Sequence, residues 1–137
     1  MKILAAVDGS EASMHAAKTG LMLASNTAGE VTLIHVTSPF TLTSDFGAMM
    51  PDPAIELQNA GEALLAHALQ TLGAPPTTAV VNRVGAVAEV ISDFAAEGEF
   101  DLVVAGHTGR GAVVRMLVGS VADRLVHICS KPVLVVR

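Results

Sequence analysis

The sequence predicts an α/β fold: one doubly wound, Rossmann-like domain over residues 1–137, with a five-stranded parallel sheet in the order 3-2-1-4-5. Three observations lead there. Short apolar runs of strand length recur along the chain, and segments with apolar residues at helical spacing separate them. That alternation requires right-handed crossovers and helices on both faces of a parallel sheet. No low-complexity tract or linker divides the 137 residues. Aromatic residues make up 3% of the chain against 51% apolar, with no Trp or Tyr, so the interior is built from Ala, Val, Leu, Ile and Met.

Ile3–Val7 is a continuous apolar run, the pattern of a strand covered on both faces. Asp8-Gly9-Ser10 breaks it. Ser10 is the expected N-cap of a first helix, with Glu11 in its first turn and Ala12, Ala16, Ala17, Gly20, Leu21 and Ala24 at helical spacing up to Ser25-Asn26. Val31–Val36 is the second strand, and the irregular stretch from Thr37 to Met50, containing Phe40, Phe46 and Met49, reads as a mobile loop or an ordered surface connection. Asp52 and Pro53 start a second helix as N-cap and first residue; Ile55, Ala60, Leu64, Ala68 and Leu72 form its expected stripe, and Gly73 ends it. Thr78–Val84 is the third strand. Ala86–Glu97 is a third helix with Val87, Val90, Ile91 and Phe94 inward, Leu102–Ala105 the fourth strand, and Val133–Val136 the fifth.

Thirteen acids against eight bases give a net charge of −5, which repels a phosphate backbone and argues against a nucleic-acid partner. The single Cys129 cannot form an internal disulfide and reads as a small buried hydrophobe, in keeping with a reducing cytoplasm. No apolar run approaches the ~18 residues needed to span a bilayer, so no membrane insertion is expected. Histidines 15, 35, 67, 107 and 127 show no metal-ligand spacing.

In such sheets ligands lie beyond the carboxyl ends of the strands, where the strand order reverses. With strand four beside strand one, that crevice receives Asp8 and the glycine-rich segment from Gly106 to Ser120. Two known phosphate loops fail on this segment. Gly106 and Gly111 have P-loop spacing, but Ala112-Val113 stand where Lys and Ser or Thr are needed. The dinucleotide fingerprint belongs at the first strand-to-helix turn, whereas Gly106-x-x-Gly109-x-Gly111 follows the fourth strand.

A third arrangement is Gly106, two residues, Gly109, nine residues, then Gly119-Ser120. Positive φ at Gly106 and Gly109 would let backbone N–H groups approach an anion without an intervening Cβ. Ser120 opens a helix with Val121, Leu125 and Ile128 as its apolar positions, and its N-terminal N–H groups favour phosphate. The alternative is a capping box, Ser120-x-x-Asp123, which needs no ligand. Asp8 likewise gains from a helix N-terminus without any ligand; as a binding group it suits the N–H groups or hydroxyls of a base or ribose and repels phosphate.

These residues resemble the universal stress protein family, specifically its ATP-binding branch. The resemblance rests on Ile3-Leu4-Ala5-Ala6-Val7-Asp8-Gly9-Ser10 with Ser13, on Ile34-His35-Val36, and on Gly85-Ala86-Val87-Ala88-Glu89-Val90-Ile91. It rests further on Gly106-x2-Gly109-x9-Gly119-Ser120, Val121-Ala122-Asp123-Arg124-Leu125 and Lys131-Pro132-Val133-Leu134-Val135-Val136. It implies an adenine pocket at Ala6, Val7, Asp8 and Val36, ribose contacts at Ala105 and Gly106, and phosphate contacts at Gly109, Gly119, Ser120, Val121 and Ala122. Arg110 either pairs with a terminal phosphate or points into water, and Arg115 is similar. ATP, with ADP or AMP as alternatives and Mg2+ as companion ion, is the implied ligand. A homodimer through Val133–Val136, or a higher oligomer, is the implied assembly; independently, an apolar edge strand needs a partner.

The resulting function is a cytoplasmic nucleotide-binding regulatory module of the stress response, acting on a protein target the sequence does not name and assigning no catalytic residue. The alternative is a slow ATPase or phosphotransfer enzyme with His107 or Ser120 as weak candidates. It lacks the phosphate-bridging Lys and carboxylate set such chemistry uses. A flavin carrier lacks ring-stacking Trp and Tyr.

Overall fold

The computed structural model describes residues 1–39, 53–109 and 119–137. Five parallel strands, β1 (Lys2–Ala6), β2 (Glu30–Thr37), β3 (Ala79–Val84), β4 (Leu102–Gly106) and β5 (Val133–Val136), form one sheet in the order β3-β2-β1-β4-β5. The expected α/β class and strand order are both present. Among the described residues four helices connect the strands: α1 (Glu11–Asn26), α2 (Pro53–Leu72), α3 (Val87–Glu97) and α4 (Ser120–Ile128).

Alternate strand residues point to opposite faces, and both faces are apolar, which is why the strands read as continuous apolar runs rather than alternating ones. Ile3, Ala5, Val7 and Leu33 pack under α1 and α2 with Ala16, Ala17, Leu65 and Ala68. Leu4, Ile34, Val36, Val103 and Ala105 pack under α3 and α4 with Ala88, Ile91, Ala95 and Leu125. Along α1 the buried face is Ser13, Ala16, Ala17, Gly20 and Ala24, small enough to bring the helix close to β1 and β4.

Ser10 caps α1 as expected: its hydroxyl accepts from the Ser13 N–H at 3.2 Å. Gly73, at φ +58°, follows the last residue of α2, the left-handed position glycine fills without strain. Asp52, Phe40, Phe46 and Met49 lie outside the described residues.

The expected stripe of α2 needs correcting. Ile55 is 55% exposed and Ala60 is exposed, while Leu57, Gly61, Leu65 and Ala68 are buried, with Leu64 and Leu72 at the margin. The step from 55 to 60 turns a helix by about 500°, which puts those two residues on different faces. Steps of four and three residues keep 57, 61, 65 and 68 on one. Gly61 is fixed by the sheet: a Cβ there would run into the Asn82 side chain, whose Nδ2 donates to the Gln58 carbonyl at 3.0 Å. On α3, Val87, Val90 and Phe94 are only half-buried, and Ala88, Ile91, Ser92 and Ala95 form the fully buried face. Among the described residues, no helix is long and apolar enough to cross a membrane.

Candidate functional site

The crevice at the carboxyl ends of the strands begins where β1 stops. The register of β1 ends at Ala6 opposite Ile34 on one side and at Ala5 opposite Val104 on the other. Neighbouring strands continue to Thr37 and Gly106, so the chain beyond β1 leaves a gap flanked by both.

Leaving β1, the chain turns through Val7, Asp8 and Gly9, whose φ of +81° is the left-handed value this tight turn into α1 requires. Asp8 Oδ1 accepts from the Ser10 N–H at 2.9 Å and from the Ser10 hydroxyl at 2.5 Å. The Asp8 N–H donates to Ser13 Oγ at 3.2 Å, and that hydroxyl donates to the Ser10 carbonyl at 2.9 Å. Two serines thereby hold the carboxylate and its backbone in one position, a side-chain turn of the kind Asp and Ser favour.

From the opposite side β4 delivers Gly106, His107, Thr108 and Gly109. The His107 N–H continues the β5 ladder to the Val136 carbonyl at 2.8 Å, and the His107 carbonyl accepts from the Gly119 N–H at 2.5 Å. That bond joins the two flanks of residues 110–118 and brings Gly109 and Gly119 together. A Cβ on Gly119 would lie 3.2 Å from the His107 carbonyl oxygen and from the Thr108 Cα.

The glycines do not serve as the sequence suggested. Among the described residues the glycines with positive φ are Gly9, Gly73 and Gly85, and Gly106 and Gly109 are not of their number. Space is what they supply. A Cβ on Gly106 would stand 2.6 Å from the Ala12 carbonyl carbon and 2.8 Å from the Ser13 nitrogen, so β4 packs backbone to backbone against the start of α1. A Cβ on Gly109 would stand 2.8 Å from Asp8 Oδ2.

The N-terminus of α4 closes the far wall. Its N-cap is Gly119, in extended conformation at φ −69° and ψ 156°, and Ser120 is the first helical residue. The alternative of a Ser120-x-x-Asp123 capping box is therefore not built: Ser120 sits one position too late, Gly119 has no side chain to cap with, and the Asp123 N–H bonds the Gly119 carbonyl. The N–H groups of Ser120, Val121 and Ala122 belong to the first turn, which has no intrahelical acceptors to offer them.

Together these elements enclose a cavity of about 260 Å3. Eleven of the twelve residues expected at the site line it: Ala6, Val7, Asp8, Val36, Ala105, Gly106, Gly109, Gly119, Ser120, Val121 and Ala122. The twelfth, Arg110, lies outside the described residues, as does Arg115. Ile34, Val87, Ile91, Thr108 and Ser13 also line it without having been assigned to it. Ile34 was accessible to sequence reasoning, because it shares the Val36 face of β2 by the two-residue period. Val87 and Ile91 depend on how α3 rotates against the sheet, and Thr108 on the path of a loop.

The cavity has two chemical characters. Beneath α3, Ile34, Val36, Val87 and Ile91 make an apolar slot. At the other end the lining is Gly109, Gly119 and the first turn of α4 at Ser120, Val121 and Ala122. Asp8 lines the cavity beside Gly109. Outside the cavity Arg124 Nε meets Glu89 Oε1 at 2.9 Å, tying α4 to α3, and holds the Glu89 carboxyl below the usual carboxylate range. Among the described residues no three His, Cys, Asp or Glu side chains group as a metal site.

Known proteins are similar to this chain over nearly its whole length. The model of the Universal stress protein family matches residues 1–137. Universal stress protein MJ0531 of Methanocaldococcus jannaschii is 33% identical over 140 residues, covering 99% of this chain and 81% of the relative. The structure of the protein MJ0577 is 26% identical, with a TM-score of 0.84 over 98% of this chain and 94% of its own. A universal stress protein solved in complex with cAMP is 24% identical, with a TM-score of 0.72 over 100% and 97% of the two chains. One from Archaeoglobus fulgidus in complex with dAMP is 20% identical, with a TM-score of 0.67 over 100% and 98%. The family model spans the whole chain, and the relative in Methanocaldococcus is 33% identical over 99% of it: this chain belongs to the universal stress protein family.

Proposed function

We propose that the chain is an ATP-binding member of its family, a small cytoplasmic regulatory module that holds an adenine nucleotide and acts as a homodimer through β5. One observation carries the reading: the positions expected to contact base, ribose and phosphate, far apart in sequence, line a single cavity at the switch point of the sheet. The apolar slot of Ile34, Val36, Val87 and Ile91 suits a purine ring. The first turn of α4, with Gly119 as an uncapped N-cap and Ser120 at the first helical position, suits phosphate through its N–H groups and dipole.

Relatives solved with cAMP and dAMP support an adenine ligand and leave the number of phosphates to be measured. Mg2+, when present, would be held chiefly by the phosphates, with Asp8 the carboxylate at hand among the described lining residues. The dimer is supported by β5 standing at the edge of the sheet with an apolar sequence. Regulation follows if the nucleotide binds one conformation or assembly better than another; the protein target is the quantity to be found.

The deciding experiment is to heat the purified protein, identify released small molecules by mass spectrometry, and titrate the emptied protein with ATP, ADP and AMP by calorimetry. Saturable one-to-one binding of an adenine nucleotide is expected, and absence of both release and binding refutes the reading. A single-turnover assay with stoichiometric protein separates binder from ATPase: rapid phosphate release dependent on Gly109 would favour the enzyme.

A further inference from the structure

Where β1 and β2 part, the ladder ends in an unusual way. The Val7 N–H still donates to the Ile34 carbonyl at 2.9 Å, one residue past the paired register. In a parallel ladder the next rung would run from the Val36 N–H to the Val7 carbonyl. That rung is not formed, since the register stops at Ala6 and Ile34. The Val7 carbonyl goes instead to a side chain, bonding His35 Nδ1 at 2.8 Å.

A carbonyl only accepts, so Nδ1 carries the proton, and in the neutral ring Nε2 is left to accept from the Thr37 hydroxyl, 3.2 Å away. Both ring nitrogens are thus engaged, and the imidazole has one tautomer and one orientation. His35 does not line the cavity; Val7 and Val36 do. In a parallel strand the N–H and C=O of one residue point the same way and alternate residues point oppositely. Because the Ile34 carbonyl faces β1, the main-chain groups of Val36 face the same side, beyond the last rung.

We infer that His35 is a positioning residue that sets base selectivity: by holding the Val7 carbonyl, it keeps the Val36 N–H and C=O off the β1 ladder and turned toward the cavity. A neighbouring N–H donor and C=O acceptor match the N1 acceptor and N6 amino donor of adenine. Hypoxanthine and guanine, in the same pose, present an N1–H donor and an O6 acceptor, opposing like with like at both atoms. Without His35, the Val7 carbonyl loses its donor beside the Val36 N–H, and the rung between them closes. The inference rests on the adenine-nucleotide reading above.

The test pairs His35→Leu, which removes the donor, with His35→Asn, whose Nδ2 occupies nearly the place of Nδ1. In ligand-free wild-type protein, amide hydrogen exchange followed by NMR is expected to show Val36 less protected than Ile34. His35→Leu should protect Val36 without ligand and His35→Asn should not. Calorimetry with ATP and ITP should give wild-type protein a preference for ATP of about tenfold or more, the scale of a bidentate base contact. That preference should largely vanish in His35→Leu and return in His35→Asn. Equal protection of Val36 and Ile34 in free wild-type protein overturns the inference, as does an ATP preference unchanged in His35→Leu. Wild-type protein that binds neither nucleotide instead fails the adenine reading itself.

Discussion

Asp8 and Gly109 stand against each other across the crevice: a Cβ on the glycine would lie 2.8 Å from Oδ2 of the carboxylate. Ser10 holds the other oxygen with two hydrogen bonds, so the carboxylate has little freedom to retreat. Gly109→Ala is therefore expected to destabilise the protein by about 1–2 kcal/mol, the cost of modest overpacking, and to weaken adenine-nucleotide binding. In an Asp8→Ala background the stability cost should nearly disappear. Urea denaturation of the four proteins in this double-mutant cycle measures the coupling, and additive effects would break the proposed contact.

Gly106 and Gly119 differ in what surrounds them, and their substitutions should separate fold from site. Gly106→Ala places a methyl against the backbone of Ala12 and Ser13, which cannot move without shifting α1. It should cost about 3 kcal/mol by the overpacking scale. Gly119→Val meets the His107 carbonyl and Thr108 Cα at 3.2 Å, where small shifts suffice, but it crowds the N-terminus of α4. Circular dichroism should show a folded protein, and calorimetry should show adenine-nucleotide affinity reduced at least about tenfold, or roughly 1.4 kcal/mol. Unchanged affinity would remove the phosphate from this end.

Ser10 serves two partners at once, capping α1 through Ser13 and fixing Asp8. Ser10→Ala should lower stability by about 1–2 kcal/mol, the upper part of the range for an N-cap, whereas Ser10→Thr keeps the hydroxyl and most of the stability. Thermal melts of both variants check this: equal losses would mean that the hydroxyl contributes little.

The pair of Arg124 and Glu89 links α3 and α4, which both contribute residues to the cavity lining. Arg124 holds the Glu89 carboxyl below its usual range, so the charged form is the one the folded state favours. The stabilising contribution is then present above the unfolded pKa and is lost as pH falls through the folded one. Carbon-detected NMR titration should find the Glu89 pKa higher in Arg124→Gln than in wild type, and added salt should shrink the difference. An identical titration in both proteins would refute the link.

Sequence alone determined the class, the five strands and eleven of the residues that line the cavity. Continuous apolar runs mean strands buried on both faces whatever the details of packing, and Ser10, Pro53 and Gly73 mark helix ends by local backbone chemistry. The glycine spacing after β4 and the carboxylate after β1 identified the crevice, because strand ends in a doubly wound sheet deliver their loops to one place. Tertiary structure decided the rest. The rotation of α2 follows from Gly61 meeting Asn82, a contact between elements that no periodicity within either one encodes. Gly106 and Gly109 are small because α1 and Asp8 come close, a matter of distance rather than of φ. The part played by His35 depends on a missing rung and on a side-chain bond from β2 to the end of β1, a contact between strands that the order of residues along either one does not encode.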